Sequence, residues 1–318
     1  MVGRYAKMIA MRNRRVLVTG GAGFIGSHVC ERIAAQGDLP VVLDNLSSGL
    51  VENLRGINHE LIVGDVRDSH IVKEALEGTD AVVHLAAEPS VPRSLAAPLE
   101  THEINYVATM TLLEAMKKSP RRLVYASSAA VYPQTLDDVA REDGIAEPAT
   151  PYGLDKFAGE HLIRMYRKQY GIVGTALRFF NVYGERQNPK SPYSGVISIF
   201  LDSLLARRTC VIFGDGQQVR DFVYVKDVAN LIYRMLGDEG TILLANVGTG
   251  RSTSLLDLLR TLEEVYGLRA NVEHQAARLG DIKFSCADIS RVSAYGGWAP
   301  RELLAGLREM ATTLAPTS

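Results

Sequence analysis

Short runs of aliphatic and β-branched residues alternate with helix-length stretches through the first half of the chain. Arg15-Val16-Leu17-Val18-Thr19 predicts a strand, Ile25 to Gln36 a helix and Val41-Val42-Leu43-Asp44 a second strand. Leu61-Ile62-Val63 and Ala81-Val82-Val83-His84-Leu85 follow as strands, then Asn105 to Lys118 as a helix and Arg122 to Ala126 as a strand. Pro151 to Gln169 reads as a helix and Thr175 to Phe180 as a strand. Strands that are apolar without interruption are buried on both faces, and helices between them imply parallel pairing. The pattern predicts an α/β fold: a doubly wound parallel sheet covered on both sides. Beyond Gly184 the order changes. Arg186 to Tyr193 is loop-like, with Pro and Ser punctuation, and later elements are shorter. We expect a first domain over 12–180 with a return segment near 220–248, and a smaller C-terminal α/β lobe over 181–318.

Size and charge narrow the possible partners. A chain of 318 residues can bury a full core, and a formal net charge of -1 with no basic stripe gives no footprint for nucleic acid. Cys30, Cys210 and Cys286 show neither pairing nor ligand spacing, so a reduced, cytoplasmic setting is expected. No run approaches the roughly 18 apolar residues of a membrane span. The leader Met1 to Arg15 is basic and mildly apolar but runs straight into the first strand with no cleavage site, and Met8 and Met11 are alternative starts.

Two clusters carry chemistry. Gly20, Gly23 and Gly26 lie between the first strand and the first helix. Glycine is needed there because the turn is tight, a pyrophosphate approaches the backbone, and helix must pack on sheet. The junction therefore reads as a Rossmann-type dinucleotide cradle. Asp44 ends the second strand about twenty residues on, where a carboxylate accepts from an adenosine ribose and repels a 2′-phosphate, favouring NAD. Asp65-Val66 after the third strand can meet the adenine edge or simply make a turn. His84, on an apolar strand, reads as a satisfied core residue, and the seven histidines show no metal spacing.

The second cluster opens with Thr150-Pro151, a helix start with Thr as cap and Pro in the first turn. Tyr152 and Lys156 then share one helical face, four residues apart. Oxidising a secondary alcohol requires a base for its O–H proton, and a free phenol of pKa ~10 is too weakly ionised near neutrality. A nearby ammonium and an oxidised nicotinamide both favour phenolate; a drop of ~3 units corresponds to roughly 4 kcal/mol. Lys156 can also hold the nicotinamide ribose, and Ser128 can hydrogen-bond the sugar oxygen and relay its proton. For Ser127 a strand-end hydroxyl bonding backbone is an equal reading.

Assembled, these residues resemble the extended short-chain dehydrogenase/reductase family, in particular its nucleotide-sugar 4-epimerases. The resemblance runs from Arg15 onward through Asp44-Asn45-Leu46-Ser47-Ser48-Gly49, His84-Leu85-Ala86-Ala87 and Ser127-Ser128-Ala129-Ala130-Val131-Tyr132. It continues in Arg178-Phe179-Phe180-Asn181-Val182-Tyr183-Gly184, Phe213-Gly214-Asp215-Gly216, Arg220-Asp221-Phe222-Val223-Tyr224-Val225 and Asn246-Val247-Gly248-Thr249-Gly250. It implies Tyr152 as base, Lys156 as its partner and Ser128 as second hydroxyl. Around NAD it adds Phe24, Ile25, Asn45, Ser48, Gly49, Leu85, Ala86, Ala87 and Asn105 to the glycines, Asp44, Asp65 and Val66. For a UDP-sugar it implies Asn181 at the sugar or diphosphate, Val196 and Phe213 beside uracil, Arg220 and Arg278 on the diphosphate and Asp281 on the ribose. Guanidinium groups suit that task because they bind phosphate in bidentate fashion.

The resemblance also fixes the expected reaction. Family 4,6-dehydratases carry an acid pair after the serine; Ala129 and Ala130 cannot transfer protons, which leaves reversible oxidation at C4. Ser285 occupies the position that walls the C2 substituent. A small residue there permits N-acetyl groups, so UDP-GlcNAc/UDP-GalNAc are expected beside UDP-glucose/UDP-galactose. Pro133 departs from the Gly usual after Val-Tyr. Two other readings stand: a UDP-glucuronate 4-epimerase using Arg186 on the carboxylate, and a non-catalytic NAD-binding sensor or scaffold, against which the intact Ser128, Tyr152 and Lys156 argue. A homodimer formed by the helices Asn105 to Lys118 and Pro151 to Gln169 is implied as well.

Overall fold

Seven parallel strands form the centre of the protein. The computed structural model describes residues 13–134, 138–187, 195–277 and 281–314. Strands β1 (Arg15–Thr19), β2 (Leu39–Asp44), β3 (Glu60–Val63), β4 (Ala81–His84), β5 (Arg122–Ser128) and β6 (Gly174–Phe179) are joined by a late strand, Leu244–Val247. Their spatial order is Leu244–Val247, β6, β5, β4, β1, β2, β3, with every neighbouring pair parallel. The order reverses between β1 and β4, and the crevice at their carboxyl ends is where doubly wound sheets bind ligands.

Strand alternation explains the two covered faces. Val16 and Val18 of β1 pack with Val29, Cys30 and Ile33 of helix α1 (Phe24–Ala35) and with Val228, Ile232 and Met235 of the helix Val225–Met235. Leu17 points the other way, into a core with Val72 of helix α2 (Ser69–Leu76), Leu112, Leu113, Leu162 and Ile163. All of β1 from Val16 to Val18 is fully buried. At about 25 cal/mol per Å2 of apolar surface, such two-sided strands are the main source of stability in the domain.

The C-terminal third is built from smaller pieces: Asn181–Tyr183 with Phe222–Tyr224, Val219–Arg220 with Thr253–Ser254, and Thr209–Phe213 with Asn271–Gln275. They share a separate core with the helices Val196–Leu205, Leu255–Tyr266 and Leu303–Leu314. Among the described residues no helix is long and apolar enough to cross a membrane.

Two expectations about elements need correction. The helix read from Asn105 begins earlier: Pro98–His102 is α-helical, Glu103–Val107 is a π-helical turn, and α-helix resumes over Ala108–Met116. Periodicity cannot mark a π turn, because one wide turn shifts the apolar face without a change in residue type. β5 extends past Ala126 to take in Ser127 and Ser128, paired with Arg178 and Phe179 of β6. The serines therefore stand on the sheet and not in a loop.

Candidate active site

A cavity of about 490 Å3 occupies the crevice over β1 and β4. Its floor is the glycine turn. Gly20 has φ +71°, and a Cβ there would stand 2.8 Å from the Ala86 nitrogen. A Cβ on Gly26 would come within 2.1 Å of the Gly20 carbonyl oxygen, so α1 can sit this close only without a side chain. Gly23 caps α1 with no side-chain acceptor, which leaves the first-turn amides for an anion.

Asp44 organises the ribose end. Its buried carboxylate accepts from the Ala22 N–H at 2.9 Å and the Leu46 N–H at 2.8 Å, joining the glycine turn to the turn after β2. Each oxygen retains acceptor capacity for a hydroxyl. Asn45 and Ser48 line the cavity beside it. Gly49 lets its turn close on Asp44, since a Cβ would lie 2.9 Å from the carboxylate. Asp65 and Val66 line the same end. Arg67 donates to Asp65 through Nε at 2.9 Å and Nη2 at 2.8 Å and holds its carboxyl down at about 2. Arg67, which also lines the cavity, was not singled out from sequence; its place two residues after Asp65 was the available signal. Phe24, Ile25, Leu85, Ala86 and Ala87 complete this half. The cavity thus fits NAD: a glycine cradle at a helix N-terminus, then a carboxylate further along the same crevice.

The reacting groups stand on the long helix Pro151–Tyr170. Thr150 caps it by accepting from the Gly153 N–H at 3.1 Å, with Pro in the first turn. Tyr152, Lys156 and Glu160 recur every four residues, so one helical face meets the end of β5 at three consecutive positions. Tyr152 shares the cavity with Ser128, whose hydroxyl favours the ionised phenol. Lys156 Nζ donates to the Ala126 carbonyl at 2.9 Å, and Glu160 accepts from Ser127 Oγ at 2.5 Å. Ser128 Oγ also accepts from the Ala130 N–H at 3.1 Å. Ser128, Tyr152 and Lys156 all line the cavity.

Charge at this end is tightly constrained. Lys156 is 4% exposed, and burial lowers its pKa to about 8. It still carries most of its charge at neutral pH. Its Nζ is 5.9 Å from the Tyr152 ring centre. Burial pushes the Tyr152 phenol up, the Ser128 hydroxyl pulls it down, and Glu88 pushes it up. Desolvation is the largest of these influences. His84 bonds Thr19 Oγ1 at 2.7 Å and Thr109 Oγ1 at 3.1 Å, and burial lowers it to about 3, so it is a neutral core residue. Asn105 does not line the cavity. Its Oδ1 accepts from the Glu88 N–H at 2.8 Å and its Nδ2 donates to the Glu88 carbonyl at 3.1 Å, so the π turn serves to grip the loop after β4.

The residues expected to hold the UDP moiety stand on neighbouring elements and outside the cavity lining. Asn181 starts a strand whose N–H bonds the Asp221 carbonyl at 3.0 Å, Val196 begins its helix and Phe213 ends its strand. Arg220 donates from Nη1 to the carbonyls of Val219 at 2.9 Å and Ile282 at 2.6 Å, and from Nη2 to Asp281 Oδ1 at 2.9 Å. Three of its five N–H groups are thereby spent on anchoring. Asp281 also accepts from Gln218 Nε2 at 3.2 Å, so Arg220 and Asp281, expected to act separately, form a pair. Ser285 lies in a segment tied down at Cys286 and Ala287: Cys286 accepts from the Ala140 N–H at 2.8 Å, and the Ala287 N–H donates to Asp221 at 3.2 Å. Arg278, with Asn188 and Pro189, lies outside the described residues. Arg186 lies outside the cavity lining, and its Nη2 pairs with Glu31 of α1 at 2.5 Å.

The fold, the glycine cradle and the Ser-Tyr-Lys constellation define a short-chain dehydrogenase/reductase of the extended type. The profile of the NAD dependent epimerase/dehydratase family matches residues 16–248, and the chain belongs to that family. It is 39% identical over 298 residues to the UDP-glucose 4-epimerase of Mycolicibacterium smegmatis, covering 92% of this chain and 95% of that one. The UDP-N-acetylglucosamine 4-epimerase of Methanobrevibacter ruminantium M1, solved with UDP-N-acetylmuramic acid, superposes with a TM-score of 0.90 at 35% identity over 95% of this chain and 98% of that one. The UDP-glucose 4-epimerase of Thermotoga maritima, solved with UDP-glucose, gives 0.89 at 34% identity over 94% and 97%.

Proposed function

We propose that this protein interconverts UDP-hexoses epimeric at C4, taking UDP-GlcNAc/UDP-GalNAc as well as UDP-glucose/UDP-galactose. The observation that carries the reading is the meeting of Tyr152, Lys156 and Ser128 at the carboxyl end of β5, beside the glycine cradle. Bound NAD supplies the hydride acceptor, the donor for its return, and a positive ring charge that offsets the burial of the Tyr152 phenol. Tyr152 takes the C4 hydroxyl proton and later gives it back. Ser128, which lines the same cavity, shares the same sugar oxygen and keeps the proton path short. Lys156, fixed by the Ala126 carbonyl, keeps a cation beside the phenolate and meets the nicotinamide ribose.

The turn after Ser128, Ala129–Val131, offers no acid. Nothing there can protonate a C6 leaving group, which supports epimerisation over dehydration. The 4-keto sugar then turns over and receives the hydride on its other face. On this reading the segment 281–288 and Arg220 form the UDP side, with Ser285 beside the C2 substituent and Arg278 completing the diphosphate clamp. The division into a cofactor domain over 12–180 and a sugar lobe over 181–318 follows the same reading. Exposed Val107, Leu154 and Met165 on the flanking helices support a homodimer across that face. The glucuronate alternative draws no support from Arg186, which lies outside the cavity lining and pairs with Glu31.

Separate incubation with UDP-GlcNAc, UDP-glucose and UDP-glucuronate, with NMR readout of the C4 epimers, tests the reading directly. Tyr152→Phe should keep fold and cofactor while kcat drops by about 10²–10⁴. Near-normal turnover in that variant would remove the phenol from the mechanism.

A further inference from the structure

Glu88 is a cavity carboxylate that the chemistry above does not use. Glu88 lies on the loop after β4, and its side chain is 12% exposed. It is held at both ends. Asn105 binds its backbone N–H at 2.8 Å and its carbonyl at 3.1 Å. The carboxylate accepts from the Ser90 N–H at 3.0 Å and pairs with Arg93 Nη1 at 3.1 Å. Arg93 Nη2 in turn donates to Glu100 Oε1 at 2.8 Å, so one guanidinium serves two carboxylates and the trio keeps a net negative charge. Glu88, Arg93 and Glu100 all line the cavity that holds Tyr152. The charge of Glu88 reaches the Tyr152 phenol and pushes it up.

A second point comes from the reaction. The C4 hydroxyl must meet Tyr152 in both sugar poses. Between them the ring turns over, which exchanges the C3 and C5 flanks of C4. A fixed charge that flanks C4 therefore meets the C5 edge, and the C6 substituent it carries, in one of the two poses. A hydroxymethyl group there is tolerated and can donate a hydrogen bond to a carboxylate. A uronate places like charges together in a partly desolvated cavity, which disfavours its binding.

We infer that Glu88 is a specificity-determining residue, a carboxylate fixed beside the sugar site by Asn105, Ser90 and Arg93 that admits hexoses uncharged at C6 and rejects uronic acids. This rests on the UDP-hexose reading above. Glu88→Gln keeps the size of the side chain and an acceptor for the Ser90 amide while removing the charge. The test compares kcat/KM for UDP-glucuronate and UDP-glucose in the NAD-loaded wild-type and variant enzymes. The ratio of the first to the second should rise about tenfold or more in the variant; an unchanged or lower ratio overturns the assignment. Should the variant fail to retain NAD, the wild type decides the matter. UDP-glucuronate should bind it at least about tenfold more weakly than UDP-glucose, and equal affinity overturns the assignment. Wild-type turnover of UDP-glucose separates the two ideas. Its absence sinks the hexose reading, whereas equal turnover of both sugars leaves that reading standing and removes Glu88 as the selector.

Discussion

Two buried carboxylates hold the two sides of the proposed site, and they are satisfied in opposite ways. Glu160, on the helix that carries Tyr152 and Lys156, receives Arg178 of β6 through Nε and Nη2, each at 2.8 Å, and Ser127 Oγ at 2.5 Å. Asp221, on the proposed sugar side, has no cation among its hydrogen-bond partners in the described residues. Its Oδ1 accepts from the Thr249 N–H and Oγ1, both at 2.7 Å, and its Oδ2 from the N–H groups of Gly250 at 2.9 Å and Ala287 at 3.2 Å. A bidentate ion pair fixes rigid elements against each other, helix against sheet. Backbone amides gather loops, because these N–H groups come from two separate stretches of irregular chain, 249–250 and 287. The reacting edge is thus held within one layer of the sheet, and the sugar side by a hub reaching across the chain.

The largest effect is expected where charge pairing is removed. Arg178 is 2% exposed, and its pairing with Glu160 outweighs burial and keeps its pKa raised. Glu160→Gln leaves that guanidinium with no opposing charge, at a cost of ~3–5 kcal/mol in unfolding free energy. Tyr152 and Lys156 share the helix, so turnover should fall together with stability. Denaturant titration of the NAD-free protein measures the loss, and a change below about 1 kcal/mol would show that the pair is not what fixes helix to sheet.

The same contrast explains what could be read from sequence. Gly20, Gly23, Gly26 and Asp44 are legible because a tight strand-to-helix turn makes local demands that only certain residue types meet. Tyr152 and Lys156 are legible through helical spacing and the cap at Thr150. Glu160 lies one turn further on the same face, yet its role depends on Arg178, which the sheet brings beside it. The Arg220–Asp281 pair joins residues 61 apart, and no local pattern announces it. Asn105 was assigned to cofactor by resemblance; a π turn, invisible to periodicity, turns it onto the Glu88 backbone. Arg186 faced α1 for a similar reason: Glu31 is distant in sequence and adjacent in space. Contacts between elements, not residue chemistry, are what the sequence left open.

Lys156 sharpens the comparison through pH. Its folded pKa of about 8 lies below the ordinary 10.5, so the unfolded chain binds more protons between those values. Stability therefore rises with pH across that window, as the native site is relieved of a buried cation. Relative to Lys156→Met, the NAD-free wild type should gain up to ~3 kcal/mol between about pH 7 and pH 10.5. Urea unfolding of both proteins at each pH isolates the difference, since the other titrating groups are common to both. A flat difference would mean that the ammonium is already well solvated through the Ala126 carbonyl.

The smallest effect belongs to the hub, and it should separate the two sides of the site. Asp221→Asn keeps one oxygen for Thr249 but turns an NH2 group toward the N–H of Gly250 and the N–H of Ala287, placing donors against donors. The expected cost is ~1–3 kcal/mol, less than for Glu160→Gln because no charge is stranded. Its consequence is local. Ala287 anchors the segment carrying Asp281 and Ser285, while the glycine turn and β5 make no hydrogen bond to Asp221. KM for UDP-sugars should therefore rise several-fold with NAD affinity unchanged. If NAD affinity falls in parallel, the two carboxylates stabilise one indivisible site, and the division between a sheet-held reacting edge and a loop-held sugar side is wrong.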